Sequence, residues 1–299
     1  MEATIQEITQ WTVLSLIEWG TQYLQEREIE SARLNCELLL CHVLNCRRID
    51  LYLKFGQPLS TNELGAFKGL LKRRIVHEPL QYILGETEFM GLKFVVDRRV
   101  FIPRPETELV VEEIIMLLRK EPPRDLRILE IGTGSGNIAI SLAKYISGCY
   151  VETIELSDDA ISVARDNIIQ HRCENHVTVI KGGIFREGLA LLRDSYDVIV
   201  SNPPYISIEE FQMLPTEVKG FEPTLALTDG ADGLRFYRVI AELGKHHLLQ
   251  GGWVVVEIAY NLADQVMQLF GSAGYPEVQT IRDYDNNVRI VKAQFHGEP

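Results

Sequence analysis

Along the first ninety residues, apolar positions recur at helical spacing in Ile5 to Leu24, in Ala32 to Leu44 and in Leu64 to Val76. Ser31 and Ser60 stand where N-caps belong, and Pro58 breaks the chain between two of these segments. A compact helical bundle is expected, with Arg33, Lys72, Arg73 and Arg74 giving it basic character and nothing in it that looks catalytic. The period then changes. From Glu88 to Ile102 the run EFMGLKFVVDRRVFI is β-branched and aromatic, which predicts a two-stranded hairpin with Asp97-Arg98 near its middle. Pro103 and Pro105 stiffen the chain before a helix from about Glu106 to Lys120.

From Leu126 onward the pattern alternates between short apolar runs and amphipathic stretches. Strands are expected at Arg127–Ile131, Tyr150–Glu155, Val177–Lys181, Tyr196–Ser201, Trp253–Ile258, Glu277–Arg282 and Val288–Phe295. Helices are expected at Gly136 to Ile146, Asp158 to Gln170, Asp232 to Leu248 and Asn261 to Ala273. Such alternation predicts an α/β fold, a mostly parallel sheet covered on both faces. The last two strands are joined only by the turn-like Asp285-Asn286-Asn287, so the final strand is expected to enter antiparallel. The organisation read from this is a helical domain over residues 1–87, a hairpin linker over 88–105 and an α/β domain over 106–299.

Composition narrows the class. The chain of 299 residues is 46% hydrophobic and 24% charged, as a folded globular protein is. Its 42 acidic and 30 basic residues leave a formal net charge of −12, which argues against a general nucleic-acid coat. No stretch reaches the roughly 20 apolar residues that span a bilayer, and MEATIQEITQW lacks the marks of a signal or transit peptide, so a cytoplasmic location is expected. Cys36, Cys41, Cys46, Cys149 and Cys173 form no CxxC. Cys36, Cys41, His42 and Cys46 can be drawn as a metal cluster, but the spacing fits no common zinc pattern. Cys41 also shares a helical stripe with Leu34 and Leu38, so small core residues are the better reading. The pair His246-His247, near a helix end, reads as solvated.

Candidate chemistry begins after the first strand of the α/β region, at Glu130-Ile131-Gly132-Thr133-Gly134-Ser135-Gly136-Asn137. Glycines at a strand-to-helix turn let backbone approach a ligand closely. Glu155 ends the next strand, where a carboxylate can accept from two ribose hydroxyls. A ribose-bearing cofactor follows, and Gly134-x-Gly136-x-x-Ala139 also fits a dinucleotide fingerprint, so NAD stays open on this motif. Glu130, placed to face a cationic amino acid moiety, and the antiparallel last strand favour S-adenosylmethionine.

The second motif is Ser201-Asn202-Pro203-Pro204-Tyr205, at the carboxyl end of the fourth strand, where open α/β sheets bind ligands. The prolines fix the backbone, so that the Asn202 side-chain oxygen and the Pro203 carbonyl can be rigid acceptors. Two acceptors side by side suit an –NH₂ group, and Tyr205 offers a flat face for a planar amide or base.

Asn-Pro-Pro-Tyr after such a glycine turn is shared by methyltransferases acting on adenine amino groups or on glutamine amides. With Arg73-Arg74, Glu78-Pro79, Gln81-Tyr82-Ile83-Leu84-Gly85, Glu88-Phe89 and Ile102-Pro103-Arg104-Pro105-Glu106-Thr107-Glu108, the chain closely resembles the release-factor glutamine N5-methyltransferases (the PrmC/HemK family) over almost its whole length. The resemblance implies a helical N-terminal substrate-binding domain and a class I methyltransferase domain, Rossmann-like, with a seven-stranded mostly parallel sheet. It also implies S-adenosyl-L-methionine as cofactor, peptide-chain release factors as partners, and methylation of the glutamine in their Gly-Gly-Gln motif, with no membrane and no direct DNA binding. Carried over by position, Gly132, Thr133, Gly134, Ser135 and Gly136 would cradle the methionine end, Glu155 would hold the ribose, and Asn202, Pro203, Pro204 and Tyr205 would bind the glutamine amide. Asn202, Pro203 and Tyr205 would be the catalytic set, with Asn202 also facing the cofactor. Glu155 departs from the usual Asp, and Gly183-Ile184 stands where the family often has Asp before a large apolar residue, so Ile184 offers apolar packing alone. A ribosomal-protein glutamine stays open as substrate. A DNA adenine methyltransferase would share the turn, but no target-recognition insert is evident and the net charge is −12. A non-catalytic nucleotide-binding protein would not need the Asn202 constellation.

Overall fold

The computed structural model describes residues 10–119, 125–185, 192 and 195–297. It divides into two compact units, with the break between Gly85 and Glu86. In the first unit the described residues form helices α1 (Val13–Gln25), α2 (Ala32–Leu44), α3 (Arg48–Leu53), α4 (Thr61–Arg74) and α5 (Leu80–Leu84). The expected first helix starts later than its periodicity suggests. Thr12 and Ser15 form a capping box that stops α1 at Val13, and Thr12 pairs with Pro58 in an isolated bridge. Positions 5–9 of that expected helix lie outside the described residues. Ser60 caps α4 with Glu63 as its reciprocal partner, whereas Ser31 at the N-cap of α2 sits at φ 48° and makes no side-chain cap bond.

Two further expectations for this unit need correction. Leu34 is 38% exposed, so the buried face of α2 is not the stripe with Leu38; it carries Cys36, Leu39, Leu40 and Cys41, which pack among Val13, Ile17, Leu24 and Phe67. Arg74 contributes no surface charge either. It is buried, donating from Nε to Asn35 Oδ1 at 2.7 Å and from Nη1 to the Glu78 carbonyl at 3.0 Å. Arg73 is paired with Glu78 at 2.8 Å. These guanidiniums tie α4 to the segment before α5.

The second unit opens with a hairpin, β1 (Glu86–Phe89) and β2 (Leu92–Val95), in antiparallel register Phe89↔Leu92. Its turn is Met90-Gly91, not Asp97-Arg98. Both turn residues have positive φ, 52° and 69°, which matches the twist of a two-residue hairpin. Asp97 instead closes locally on Arg99. Phe89 and Phe94 are buried in the same apolar cluster as Val110, Ile114 and Ile128, and Asn167 both donates to and accepts from the Val95 backbone.

After α6 (Pro105–Leu118) come β3 (Leu126–Ile131), α7 (Asn137–Tyr145), β4 (Cys149–Glu155), α8 (Asp158–Gln170), β5 (Val177–Lys181) and β6 (Tyr196–Ser201). Three short helices follow, α9 (Ile208–Gln212), α10 (Thr216–Lys219) and α11 (Thr224–Leu227). The chain ends with α12 (Arg235–His247), β7 (Leu248–Glu257), α13 (Ala263–Ser272), β8 (Glu277–Arg282) and β9 (Val288–Gln294). The sheet order is β5-β4-β3-β6-β7-β9-β8, with β9 antiparallel to both its neighbours and the other pairs parallel. This is the seven-stranded class I methyltransferase sheet with its antiparallel last strand. Alternate residues of each central strand bury into opposite layers: Ile128, Val198 and Val255 on one side, Leu129, Ile199 and Val254 on the other. His246 and His247 end α12; His246 is exposed beside Glu242, whereas His247 is half-buried, so only the first fits the reading of a solvated pair.

Strand order reverses between β3 and β6, and the carboxyl ends of β3, β4, β6 and β7 converge there. A ligand crevice belongs at such a switch point. Among the described residues no helix is long and apolar enough to cross a membrane, and no group of three His, Cys, Asp or Glu could hold a metal ion.

Candidate active site

A cavity of about 590 Å³ opens at these strand ends, within the range typical of cofactor and small-molecule sites. Gly132, Thr133, Gly134 and Ser135 line it from β3, Glu155 from β4, Ile184 beyond β5, and Asn202, Pro203, Pro204 and Tyr205 from β6. Gly136 is not part of the lining. It sits at φ 82° at the N-cap of α7, where an added Cβ would meet Ile140 Cδ1 at 3.2 Å, so it serves the turn and its packing.

The glycine turn is tethered on every side. The Gly132 N–H donates to the Ile154 carbonyl at 3.0 Å, Gly136 N–H closes on the Thr133 carbonyl at 2.8 Å, and Asn167 Nδ2 donates to the Ser135 carbonyl at 2.9 Å. Thr133 and Thr153 share a hydroxyl hydrogen bond of 2.6 Å. Gly132 and Gly134 both have positive φ, and a Cβ built on either meets nothing within 4 Å. The bare backbone therefore faces open space that a ligand can fill. Glu155 supports the same turn, accepting from Gly134 N–H at 3.1 Å and from Ser157 N–H at 2.9 Å.

Behind the turn lies Glu130, fully buried and outside the cavity lining, with neither carboxylate oxygen hydrogen-bonded. Burial pushes its carboxyl up to about 8, and the Glu155 charge adds to that. The Thr153 hydroxyl and Ala139 N–H relieve it only in part, since neither closes a hydrogen bond. The sequence reading has Glu130 facing a cationic moiety; the structure instead sets it behind the turn, out of contact with the cavity. An unpaired buried carboxyl there acts on a ligand's charge only through the field across the turn.

On the opposite wall, Ser201 Oγ donates to the Ile131 carbonyl at 2.7 Å and fixes the end of β6 against β3. The chain after it is pinned by the Ile206 N–H, which donates to the Leu227 carbonyl at 3.1 Å. Gly233 passes so close that a Cβ there would stand 2.4 Å from the Tyr205 carbonyl oxygen. Asn202 Nδ2 donates to Thr107 Oγ1 at 3.1 Å, and Thr107 Oγ1 donates to Glu257 Oε2 at 2.6 Å. The Tyr205 hydroxyl donates to the other Glu257 oxygen at 3.4 Å, and its phenol is raised by burial and by the Glu257 charge. Burial also pushes the Glu257 carboxyl up to about 7.

The sequence reading singles out neither Thr107 nor Glu257. Thr107 sits inside the Ile102–Glu108 run that carries the family resemblance, and Glu257 is a carboxylate at the end of an otherwise apolar strand. Both signals were visible, but nothing in the chain links them. Glu222 is a third such residue. Buried, it accepts from the Ile102 N–H at 3.2 Å and pairs with Arg104, which ties the cavity-lining 99–104 segment to the turn after α10. On the remaining side Ile184 is buried, and the Arg235 guanidinium lies 4.2 Å over the Phe185 ring.

Comparison with known proteins agrees with this architecture. The PrmC N-terminal domain family matches residues 15–85, and the Methyltransferase small domain family matches residues 107–215. The chain is 41% identical to the release factor glutamine methyltransferase of Geobacter sulfurreducens over 281 residues, 94% of this chain and 96% of that protein. It is 38% identical to the protein of the same name from Chlorobaculum tepidum over 279 residues, covering 92% and 94% of the two chains. A methyltransferase structure from Pyrococcus furiosus shares the fold with a TM-score of 0.50 at 22% identity, over 70% of this chain and 91% of that one. Identity of this extent across both units makes the chain a member of the release factor glutamine methyltransferase family, and hence a methyltransferase.

Proposed function

We propose that this protein transfers a methyl group from S-adenosyl-L-methionine to the side-chain amide nitrogen of the glutamine in the Gly-Gly-Gln motif of peptide-chain release factors. The observation that carries the reading is that Asn202, Pro203, Pro204 and Tyr205 line the same cavity as the glycine turn Gly132–Ser135. The residues present fit the cofactor: open space over Gly132 and Gly134, a strand-end carboxylate at Glu155, an apolar side chain at Ile184 and an unpaired buried carboxylate at Glu130. Thr133, Ser135 and Gly136 hold the turn's shape, and Asn202 lines the cavity.

S-adenosylmethionine supplies a methyl group on an already activated sulfonium leaving group. The chain's part is therefore alignment and exclusion of water, with no strong base needed. An amide nitrogen is a weak nucleophile because its lone pair is delocalised into the carbonyl. Acceptor bonds to Asn202 Oδ1 and to the Pro203 carbonyl raise electron density on that nitrogen and stabilise the charge developing there. Pro203 and Pro204 keep those acceptors rigid, and Tyr205 gives the planar amide a flat neighbour. The proton leaves after transfer.

A lone glutamine side chain offers too little surface to be chosen among all glutamines, so specificity requires contacts beyond the cavity. The helical N-terminal unit, which has no catalytic residues, is assigned the grip on the release factor, in the cytoplasm where such factors work. Incubation with isotope-labelled cofactor and an intact release factor tests the reading. Label is expected on the Gly-Gly-Gln glutamine, located by peptide mass spectrometry, and lost when that glutamine is replaced by alanine. Label on DNA, or none on the release factor, would defeat it.

A further inference from the structure

The side-chain amide of Asn202 has two unlike ends. Oδ1 can only accept a hydrogen bond and Nδ2 can only donate, so the residue serves an –NH₂ substrate in just one of its two orientations. What decides the orientation lies behind it. Nδ2 meets Thr107 Oγ1 at 3.1 Å, and the Thr107 hydroxyl proton is directed to Glu257 Oε2 at 2.6 Å. A hydroxyl has one proton to give. With that proton on a carboxylate, the Thr107 oxygen can only accept, and only the Nδ2 end of Asn202 can satisfy it. Turning the amide over would set Oδ1 against the Thr107 oxygen, acceptor against acceptor. It would also turn Nδ2 toward the substrate –NH₂, donor against donor.

Thr107 and Glu257 are 2% and 3% exposed, so the relay is buried and its polarity is not averaged by solvent. Its members come from α6, the turn after β6, and β7, and β6 and β7 are adjacent in the sheet with Ser201 opposite Val256. We propose that Thr107 and Glu257 are positioning residues, a one-way hydrogen-bond relay that holds the Asn202 amide with Oδ1 toward the nitrogen to be methylated. The proposal rests on the assignment of Asn202 as the amide-binding residue and adds what fixes its direction.

The state of Glu257 sets the polarity. As a carboxylate it must accept from Thr107. As a carboxylic acid it can donate to Thr107, whose proton is then released to bond Oδ1 and reverse the relay. Facing Glu257 are the Thr107 hydroxyl and Glu106 on α6, the Tyr205 hydroxyl, Tyr237 on α12, whose hydroxyl donates to the Glu257 carbonyl, and Arg289 on β9. Burial pushes the Glu257 carboxyl up to about 7, so the reversal falls in an accessible range: kcat is expected to fall as pH drops through it.

The test is steady-state methyl transfer to intact release factor by the full-length protein and its variants. Thr107→Val, nearly isosteric, should lower kcat at least about tenfold while the KM for S-adenosylmethionine stays within about twofold. Thr107→Ser should restore kcat to within about threefold of wild type. In an Asn202→Ala background, Thr107→Val should cost almost nothing more, because the relay then has nothing to orient. Glu257→Gln, whose amide can accept or donate at any pH, should remove the acid limb of the kcat profile. An Asn202→Ala enzyme with near-normal kcat would overturn the amide-binding assignment and the relay with it. An inactive Asn202→Ala beside a fully active Thr107→Val would overturn the relay alone. So would equal losses from Thr107→Val in both backgrounds, or an unchanged acid limb in Glu257→Gln, a readout that stands even if Thr107→Val fails to fold.

Discussion

Glu130→Gln should stabilise the ligand-free protein at pH 8 and leave it nearly unchanged at pH 4, below the ordinary carboxyl range. The carboxyl of Glu130 is fully buried without a hydrogen bond, and burial raises it from the ordinary range near 4.5 to about 8. A carboxyl raised in the folded state binds more protons folded than unfolded between these two values. The sign follows: stability is fully present below the unfolded value and is lost as pH rises through the folded one. For one proton the limiting slope is about 1.4 kcal/mol per pH unit. Between pH 5.5 and 7.5, both inside that window, the near-limiting slope gives about 2.5 kcal/mol, or roughly 5–10 °C in Tm for a unit of this size. Glutamine has the same shape and no charge to desolvate, so the difference in Tm between variant and wild type isolates this one group. Differential scanning calorimetry of both proteins across pH 5.5–8 reads it directly. A pH-independent difference, or a variant less stable than wild type at pH 8, would refute the argument that Glu130 is an uncompensated buried acid. With S-adenosylmethionine present the variant's advantage should shrink, since a cation near the turn favours the carboxylate.

Three further outcomes follow from the same geometry. Glu155→Ala should weaken S-adenosylmethionine binding by roughly 1.5–3 kcal/mol, the scale of a hydrogen bond to a charged group, and unchanged affinity by calorimetry would remove the ribose assignment. Asn202→Ala should leave cofactor affinity within a few-fold but depress methyl transfer by about 10² or more, measured as single-turnover label incorporation. A chain of residues 86–299, which keeps the hairpin with the core that Phe89 and Phe94 share, should still bind S-adenosylmethionine. Its kcat/KM on intact release factor should fall at least about tenfold, or 1.4 kcal/mol, and equal activity of the short and full chains would deny the helical unit a role in substrate binding.

Much of this fold is readable from periodicity because its central strands are buried on both faces. The expected bounds of α8, β5, β6 and β8 coincide with the observed ones: β6 is buried at every position, Ser157 caps the start of α8, and the edge strands β5 and β8 are closed off by Gly182-Gly183 and by Pro276 and Asp283. Reading fails where elements are too short to show a period. The five- and four-residue helices α9, α10 and α11, and the equally brief α5, pass unnoticed in the sequence. The hairpin turn goes astray for another reason. Asp97-Arg98 has the polar look of a turn, but the chain turns at Met90-Gly91, where one glycine is the only signal and Met90 adopts φ 52° without a residue type that announces it.

The site divides along the same line. Ligand-facing residues sit in contiguous motifs at strand ends, the glycine turn and Asn202–Tyr205, because a strand that delivers backbone to a crevice does so with neighbours in sequence. Residues that aim those motifs need no such contiguity. Thr107 lies 95 positions before Asn202, and Glu257 lies 52 after Tyr205. They meet only because β6 and β7 are neighbours in the sheet and α6 packs across their ends. Each of the three, taken alone, is unremarkable: a threonine in a first helical turn, an asparagine before proline, an acid closing an apolar strand. The chemistry lies in the direction of one proton on Thr107, and that direction exists only once Glu257 is carried to it by the strand order.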